Sequence, residues 1–429
     1  MLRYFSQIFL ILSLLFLAYV GFKSEITWEG NNRDYYQIYY LLSLFLIIFS
    51  ITSFYLSNII KIYLVITIST VLIFLYIIEG FIFHYGKIDF IQLIKKSKMY
   101  SKETGKKFDT RSTITIYNEL KKTNKDIVFS IQPQLFKKEG IYSLSGISSS
   151  ETIFCNENGY QAFYKSDRYG FNNPDDQWDN KEIEYFLLGD SFVHGMCVNR
   201  PNDFASVLRT ISKKRAVNLG FRGLGPLHEY AILREYIRPG VKNILWFYYE
   251  NSDLMDLESN LKKPILKKYL ESENFSQNLV KKQKIVDNLA KKELQRINSN
   301  HNKTSQFLKL YKLRTLLSNI FNRRNNVELQ PEFIEILEKA KKLSIKNNSK
   351  LYFIYLPSYS RYKFNKEDPN YILVKKLVKS LKIPFIDIHE EVFSQLNEPL
   401  TLFPFEMNGH YTVYGYRKIS EKIYELIEN

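Results

Sequence analysis

The sequence predicts an α/β domain whose parallel sheet is covered by helices on both faces, carried on transmembrane helices. Three observations predict it. Long apolar runs fill the first 86 residues. Beyond about residue 180, short apolar strands alternate with amphipathic helical segments, the pattern of a parallel sheet. The turns after those strands concentrate Gly, Asp, Ser, Asn and His, at the strand ends where α/β proteins gather ligand sites.

The apolar runs are Tyr4 to Phe22, Tyr36 to Leu56 and Ile62 to Phe83. Each approaches the ~20 residues that cross a bilayer as a helix. Tyr35, Tyr36, Tyr39, Tyr40 and Trp28 crowd their ends, as aromatic residues do at the membrane interface. The first run is long and lacks a small-x-small cleavage site at Gly21-Phe-Lys-Ser24, so it reads as an anchor rather than a signal peptide.

Residues 87–180 form a Lys-rich connector with one helix, then short extended pieces from Ile127 to Tyr164. In the domain spanning 181–429, strands are expected at Glu184–Leu188, Ala216–Leu219, Asn243–Tyr249, Leu351–Leu356 and Phe385–Ile388. Helices are expected near Asp203–Ser212, Leu227–Tyr236, Pro331–Asn347, Tyr371–Leu381 and Val413–Ile427. An insertion, 257–330, carries Lys and Leu at helical spacing. It reads as amphipathic helices that form a solvated cap, or a basic lid facing an anionic substrate or lipid headgroups.

The chain has 429 residues and a formal net charge of +16. Such a balance suits an anionic membrane surface or acidic glycan. No zinc-finger spacing, RNA-binding signature or basic recognition helix is present, so nucleic acid is not an expected partner.

The chemistry centres on Tyr185-Phe-Leu-Leu-Gly-Asp-Ser-Phe192. An apolar strand runs into a polar turn that presents Ser191. Alone, the serine is as ordinary as a helix cap. Its meaning comes from three other segments: Asn218-Leu-Gly-Phe-Arg-Gly223, Glu250-Asn-Ser-Asp-Leu254 and Gly409-His410-Tyr. A serine nucleophile needs a base, which His410 can supply at the start of the last helix. The oxyanion needs donors, for which the Ser191 and Gly223 N–H groups and the Asn251 or Ser252 side chain are candidates. His84, His194, His228, His301 and His389 are read as structural.

These four segments, in this order, resemble the four blocks of the GDSL/SGNH hydrolase family. Cys155-Asn-Glu-Asn-Gly159 and Ser166-Asp-Arg-Tyr-Gly-Phe-Asn172 resemble the lead-in of a membrane-anchored bacterial subgroup. The resemblance covers roughly residues 125 to 429. It implies a flavodoxin-like three-layer α/β/α fold and ester hydrolysis, deacetylation or O-acyl transfer, with no metal or other cofactor. Carried over, Ser191 is nucleophile, His410 base and Gly223 an oxyanion donor. Two positions depart from the family. Ser252 stands at the place of the oxyanion asparagine, with Asn251 one residue early. Met407 stands where the family has the triad Asp, leaving Glu406 as the nearest acid and Asp387 as a distant alternative.

Cys155 and Cys197 flank this machinery and are expected close in space. Both a disulfide and a pair of buried thiols are open. A disulfide would argue for an oxidising compartment. Lys95, Lys96, Lys98, Lys102, Lys106 and Lys107 after the third span argue the other way, for a cytoplasmic domain. Large domains translocate largely regardless of charge. Esters of envelope glycans also suit the outside, so the reading adopted is a bacterial inner-membrane protein with its domain on the periplasmic face. The expected partners are the membrane, through three helices, and an acyl ester of an anionic or lipid-linked glycan. The altered third block and absent Asp keep a second reading open: a catalytically degenerate domain that binds glycan or serves assembly.

Overall fold

Each apolar run expected to be a strand enters one five-stranded sheet. The strands are β1 (Ile183–Leu188), β2 (Ala216–Asn218), β3 (Val241–Tyr249), β4 (Lys350–Leu356) and β5 (Phe385–Asp387). This is a computed structural model, and it describes residues 4–27, 30, 33–85, 88–135, 137–138, 140–250, 252–299, 303–321 and 328–428. The spatial order is β5-β4-β3-β1-β2, with every pairing parallel. That is the flavodoxin-like order, 2-1-3-4-5 read from the other edge, and its switch point lies where β1 meets β3.

Period-two alternation sorts the side chains of these strands into two layers. Phe186, Leu188, Ile244, Trp246 and Phe353 enter one core with the helices Pro226–Tyr236, Pro331–Lys346 and Tyr371–Ser380. Tyr185, Leu187, Leu245, Phe247 and Ile354 enter the other with the helices Phe204–Ser212 and Val413–Glu428. Because both faces are covered, the strands are apolar through their central positions, with polar residues such as Glu184, Lys242 and Lys350 near their starts, which is why they were legible as runs.

The lead-in does more than connect. It holds two helices, Ile88–Thr104 and Thr113–Leu120, where one was expected. Val128–Phe129, Glu151–Ile153 and Phe163–Lys165 form a small sheet whose Val128, Phe129 and Ile153 belong to the first core. Asp167 is fully buried and accepts from the N–H groups of Tyr169 and Phe171, from Asn173 Nδ2 at 2.8 Å and from Trp178 Nε1 at 2.8 Å. Burial pushes its carboxyl up to about 6 against these donors. Asn173 in turn exchanges hydrogen bonds with the backbone of Asn218 at the end of β2. The lead-in motif is thus the strut that fixes the second loop of the site.

Part of the insertion folds as the expected amphipathic helices, packed on the first core. Helices Asp253–Leu261, Pro264–Glu271 and Gln283–Ser299 turn Leu257, Leu266, Tyr269, Val286, Ala290 and Leu294 into the first core. Their lysines lie on the outer face of an amphipathic pattern. Lys303–Leu308 and Tyr311–Phe321 part from them and belong to a second unit, Met1–Lys87 with Lys303–Phe321. The larger unit is Ile88–Asn302 with Asn322–Asn429.

Three helices of the smaller unit are long and apolar enough to cross a membrane: Phe5–Thr27, Tyr35–Tyr55 and Asn58–Phe83. Trp28 falls outside the described residues. The first two pack through small hydroxyl residues, Ser6, Ser13, Ser43 and Ser50, all buried, as helices in lipid do where backbones must approach. Ser13 Oγ donates to Phe9 O at 2.9 Å, so its polarity is met within the helix. Glu79, near the end of the third span, is fully buried. Its carboxylate accepts from the backbone N–H groups of Lys312 at 3.0 Å and Leu313 at 2.7 Å. It thereby satisfies the open N-terminal turn of helix 311–321 and meets its dipole. Tyr76 Oη donates to Leu308 O at 3.0 Å beside it. A polar group in a spanning helix is expensive unless its hydrogen bonds are met, and here the start of one helix meets them. Glu79→Ala should release this segment: trypsin cleavage at Lys309, Lys312 and Arg314 in the detergent-solubilised full chain should accelerate roughly tenfold, read by mass spectrometry. An unchanged cleavage rate would show that Glu79 does not hold it.

Candidate active site

Ser191 follows β1 at the switch point, after Gly189-Asp190. Residues 191–197 run in turns, and the next helix begins only at Phe204, capped by the Asp203 carboxylate through Ser206 N. Ser191 therefore caps no helix. The loop after β2 closes on this turn: Phe221 N donates to Gly189 O at 3.3 Å. Gly220 permits the approach, because a Cβ there would lie 2.5 Å from Val193 Cβ and 2.7 Å from His194 N. Gly223 is held in the left-handed region, φ +74°, where glycine is the natural residue.

The last helix begins at Val413, and His410 sits just before it. His410 Nε2 lies 2.8 Å from Ser191 Oγ. Phe192 packs on the imidazole with ring centroids 4.7 Å apart. The other ring nitrogen, Nδ1, meets the carboxylate of Glu157 at 3.0 and 3.1 Å. Glu157 also accepts from the His410 backbone N–H at 2.6 Å. The three side chains form one hydrogen-bonded line, carboxylate to imidazole to hydroxyl. The His410 and Glu157 side chains are only 16% and 22% exposed. Burial alone would lower the imidazole's pKa, but the Glu157 charge and hydrogen bond outweigh it and hold His410 above its ordinary value. Burial likewise pushes against the Glu157 carboxylate, and the His410 charge and donors bring it below the ordinary range.

Of the expected acids, Glu406 makes no hydrogen bond to His410 among the described residues. Phe405 and Glu406 both take positive φ, 55° and 53°, in a tight turn. Glu406 is exposed there, and its backbone carbonyl accepts from Tyr359 Oη. Asp387 is engaged elsewhere, capping a turn through Glu390 N and pairing with Lys375 at 2.9 Å. Met407 is buried. The acid on the imidazole comes instead from the lead-in, and Gly409 makes room for it: a Cβ there would lie 2.9 Å from Glu157 Oε2.

A signal for Glu157 was present. Cys155 and Cys197 form a disulfide. It ties the loop carrying Glu157 to the turn carrying Ser191. Asn158 Nδ2 adds a bond to Cys197 O at 3.0 Å. A bridge between residues 155 and 197 places position 157 beside the Ser191 turn, where its carboxylate meets the imidazole. The potential ligand atoms of Glu157, Cys197 and His410 lie within 4.8 Å of one another, but the disulfide takes the sulfur and the imidazole takes the carboxylate.

In the third block, Glu250 and Asp253 brace the strand ends around the site. Glu250, nearly buried, pairs with Arg361 at 2.6 Å and accepts from Tyr355 Oη and Ser358 N, joining the ends of β3 and β4. The buried Asp253 accepts from Tyr249 N at 3.0 Å. Ser252 Oγ faces Asp253 at 3.4 Å and makes no hydrogen bond to Ser191 or His410 among the described residues. Asn251 lies outside the described residues. Gln132, from the lead-in, stands against Gly223: a Cβ there would lie 2.6 Å from its Nε2. Of the other histidines, His194 and His228 are buried among aromatic rings and His389 bonds Tyr362 Oη at 2.8 Å. His84 and His301 have no described side chains.

No family model and no curated protein matches the chain. Among solved structures it is similar to "Structure of a putative lipolytic protein of G-D-S-L family from Desulfitobacterium hafniense DCB-2". The identity is 13% and the TM-score 0.32, over 58% of this chain and 99% of that chain.

Two outcomes are expected of these contacts. For the ester hydrolysis proposed below, Glu157→Gln should lower kcat/KM about 10² to 10⁴-fold, whereas Glu406→Gln should change it less than about threefold. Only neutral His410 can accept the serine proton. The wild-type rate should therefore fall as pH drops through a midpoint above the ordinary imidazole value, and Glu157→Gln should move that midpoint down. Equal losses in both variants, or an unmoved midpoint, would remove Glu157 from the line. Second, reducing the Cys155–Cys197 bridge should lower kcat/KM roughly 10- to 100-fold by loosening the acid. The same treatment should cost Glu157→Gln little. A full additional loss in that variant would mean the bridge acts on something other than Glu157.

Proposed function

We propose that this chain is a membrane-anchored serine esterase or deacetylase, or an O-acyltransferase, acting on acyl esters of cell-envelope glycans. The observation that carries the reading is the 2.8 Å contact between Ser191 Oγ and His410 Nε2 with Glu157 behind the imidazole. Ser191 Oγ attacks the acyl carbonyl while His410 takes its proton. The tetrahedral oxyanion then collapses, the bond to the alcohol breaks, and His410 returns the proton to the leaving oxygen. Water, or a sugar hydroxyl, attacks the acyl-serine by the same path in reverse. Oxyanion donors are assigned to the N–H groups of Ser191 and Gly223 and the side chains of Asn251 or Ser252, and Gln132, which stands against Gly223, is a further candidate donor.

Three spans tether the domain to a membrane, which suits an envelope or lipid-linked substrate. The Cys155–Cys197 disulfide supports an oxidising compartment, and so the periplasmic face of a bacterial inner membrane. A binding module without catalysis would have no need to hold a serine and a histidine in hydrogen-bond contact. A fluorophosphonate probe should label the full chain in detergent, and Ser191→Ala should abolish labelling. Absence of labelling in folded wild-type protein across pH 6 to 9 (a range chosen to span about the imidazole midpoint) would leave the degenerate binding module as the better reading.

A further inference from the structure

The loop that brings Gly223 to the site also brings Arg222, and the chemistry above gives it no task. Its backbone N–H faces His194 Nδ1 at 3.3 Å, and the neighbouring Phe221 ring stacks on His194 at 4.2 Å, so the residue is anchored at its base. Its Nε is buried without a hydrogen-bond partner. Among the described residues no carboxylate pairs with it. A guanidinium is always charged and carries five donors in a rigid fork. Leaving it half-buried and unpaired costs stability, unless a ligand completes it.

The surroundings narrow that ligand. Arg222 stands between Phe221, whose N–H reaches Gly189 O at 3.3 Å, and Gly223, so it belongs to the loop that closes on the Ser191 turn, and its charge acts on Tyr164, Glu157 and His410. A second cation, Lys96 from the helix Ile88–Thr104, approaches Asn408 O at 3.5 Å, two residues before His410. The carboxylate nearest the imidazole, Glu157, is already taken by it. We infer that Arg222 is a specificity residue that binds an anionic group, a carboxylate or a phosphate, carried by the glycan close to the ester under attack. This rests on the proposed esterase reading. The bound anion would also cancel the repulsion between Arg222 and the imidazolium that forms as Ser191 attacks, so the charge would favour turnover as well as binding.

The test uses Ser191→Ala full-length protein in detergent and calorimetry with an oligogalacturonate, a neutral cello-oligosaccharide of equal length, and glycerol phosphate. The oligogalacturonate or glycerol phosphate should bind at least roughly tenfold more tightly than the neutral sugar. Adding Arg222→Gln should remove that preference, with Arg222→Lys intermediate. Which anion binds tells carboxylate from phosphate. In the active chain, Arg222→Gln should lower the ratio of kcat/KM for an acetylated oligogalacturonate over 4-nitrophenyl acetate by about tenfold or more. Equal binding of anionic and neutral sugars, or an equal loss on both esters, would overturn the inference. Anion preference lost in Arg222→Gln, in a chain that hydrolyses no ester, would keep the anion site at Arg222 and overturn the esterase reading together with the residue's part in choosing an ester. A melting curve matching the parent shows that the variants fold.

Discussion

The site depends on the contact between Glu157 and His410. Neither group is comfortable alone where it stands. Burial drives an imidazole towards neutrality and a carboxyl towards protonation. Together they hold the imidazole ring in one plane, through two bonds at Nδ1 and one to its backbone N–H. That plane aims Nε2 at Ser191 Oγ. An imidazole free to rotate would meet the hydroxyl only part of the time, and its proton affinity would follow burial downwards.

Much of the surrounding structure serves that contact. The disulfide and Asn158 bind the loop of Glu157 to the turn of Ser191. Gly409 leaves room for the carboxylate. Phe192 backs the ring, and behind it stand Tyr249 and Tyr411 with centroids at 4.2 and 4.7 Å. Beneath the turn, Asp190, Glu229 and Asp253 are all buried, and burial with mutual repulsion drives Glu229 and Asp253 well above the usual carboxyl range. Against that, Asp190 accepts from Phe192 N at 2.9 Å and braces the turn from below.

The smaller unit obeys a different solvent. Its spans expose Leu, Ile and Phe and bury serines, the inverse of the larger unit. The same logic of paired burial recurs there, since Glu79 meets backbone N–H groups rather than a side-chain cation. The segment that supplies those groups, 303–321, is separated by more than two hundred residues of chain from the span it joins. Hydropathy reads only local stretches, so its amphipathic pattern was visible while its destination was not.

Local chemistry alone determined the five strands, the helices between them and the three spans. A strand buried on both faces must be apolar throughout, and a span must be apolar for its full length. The polar turns after the strands marked Ser191, Gly223 and His410 as candidates, because a parallel sheet gathers those turns at one edge. Tertiary structure decided which groups meet. Glu406 is close to His410 along the chain yet points away through two residues of positive φ. Glu157 is 253 residues distant and touches it. Ser252 Oγ faces its neighbour Asp253, while Gln132 arrived beside Gly223 from the lead-in. A hydrogen bond is set by distances in space of about 3 Å, and no spacing in the chain encodes those until the lead-in folds against the sheet and the disulfide closes on it.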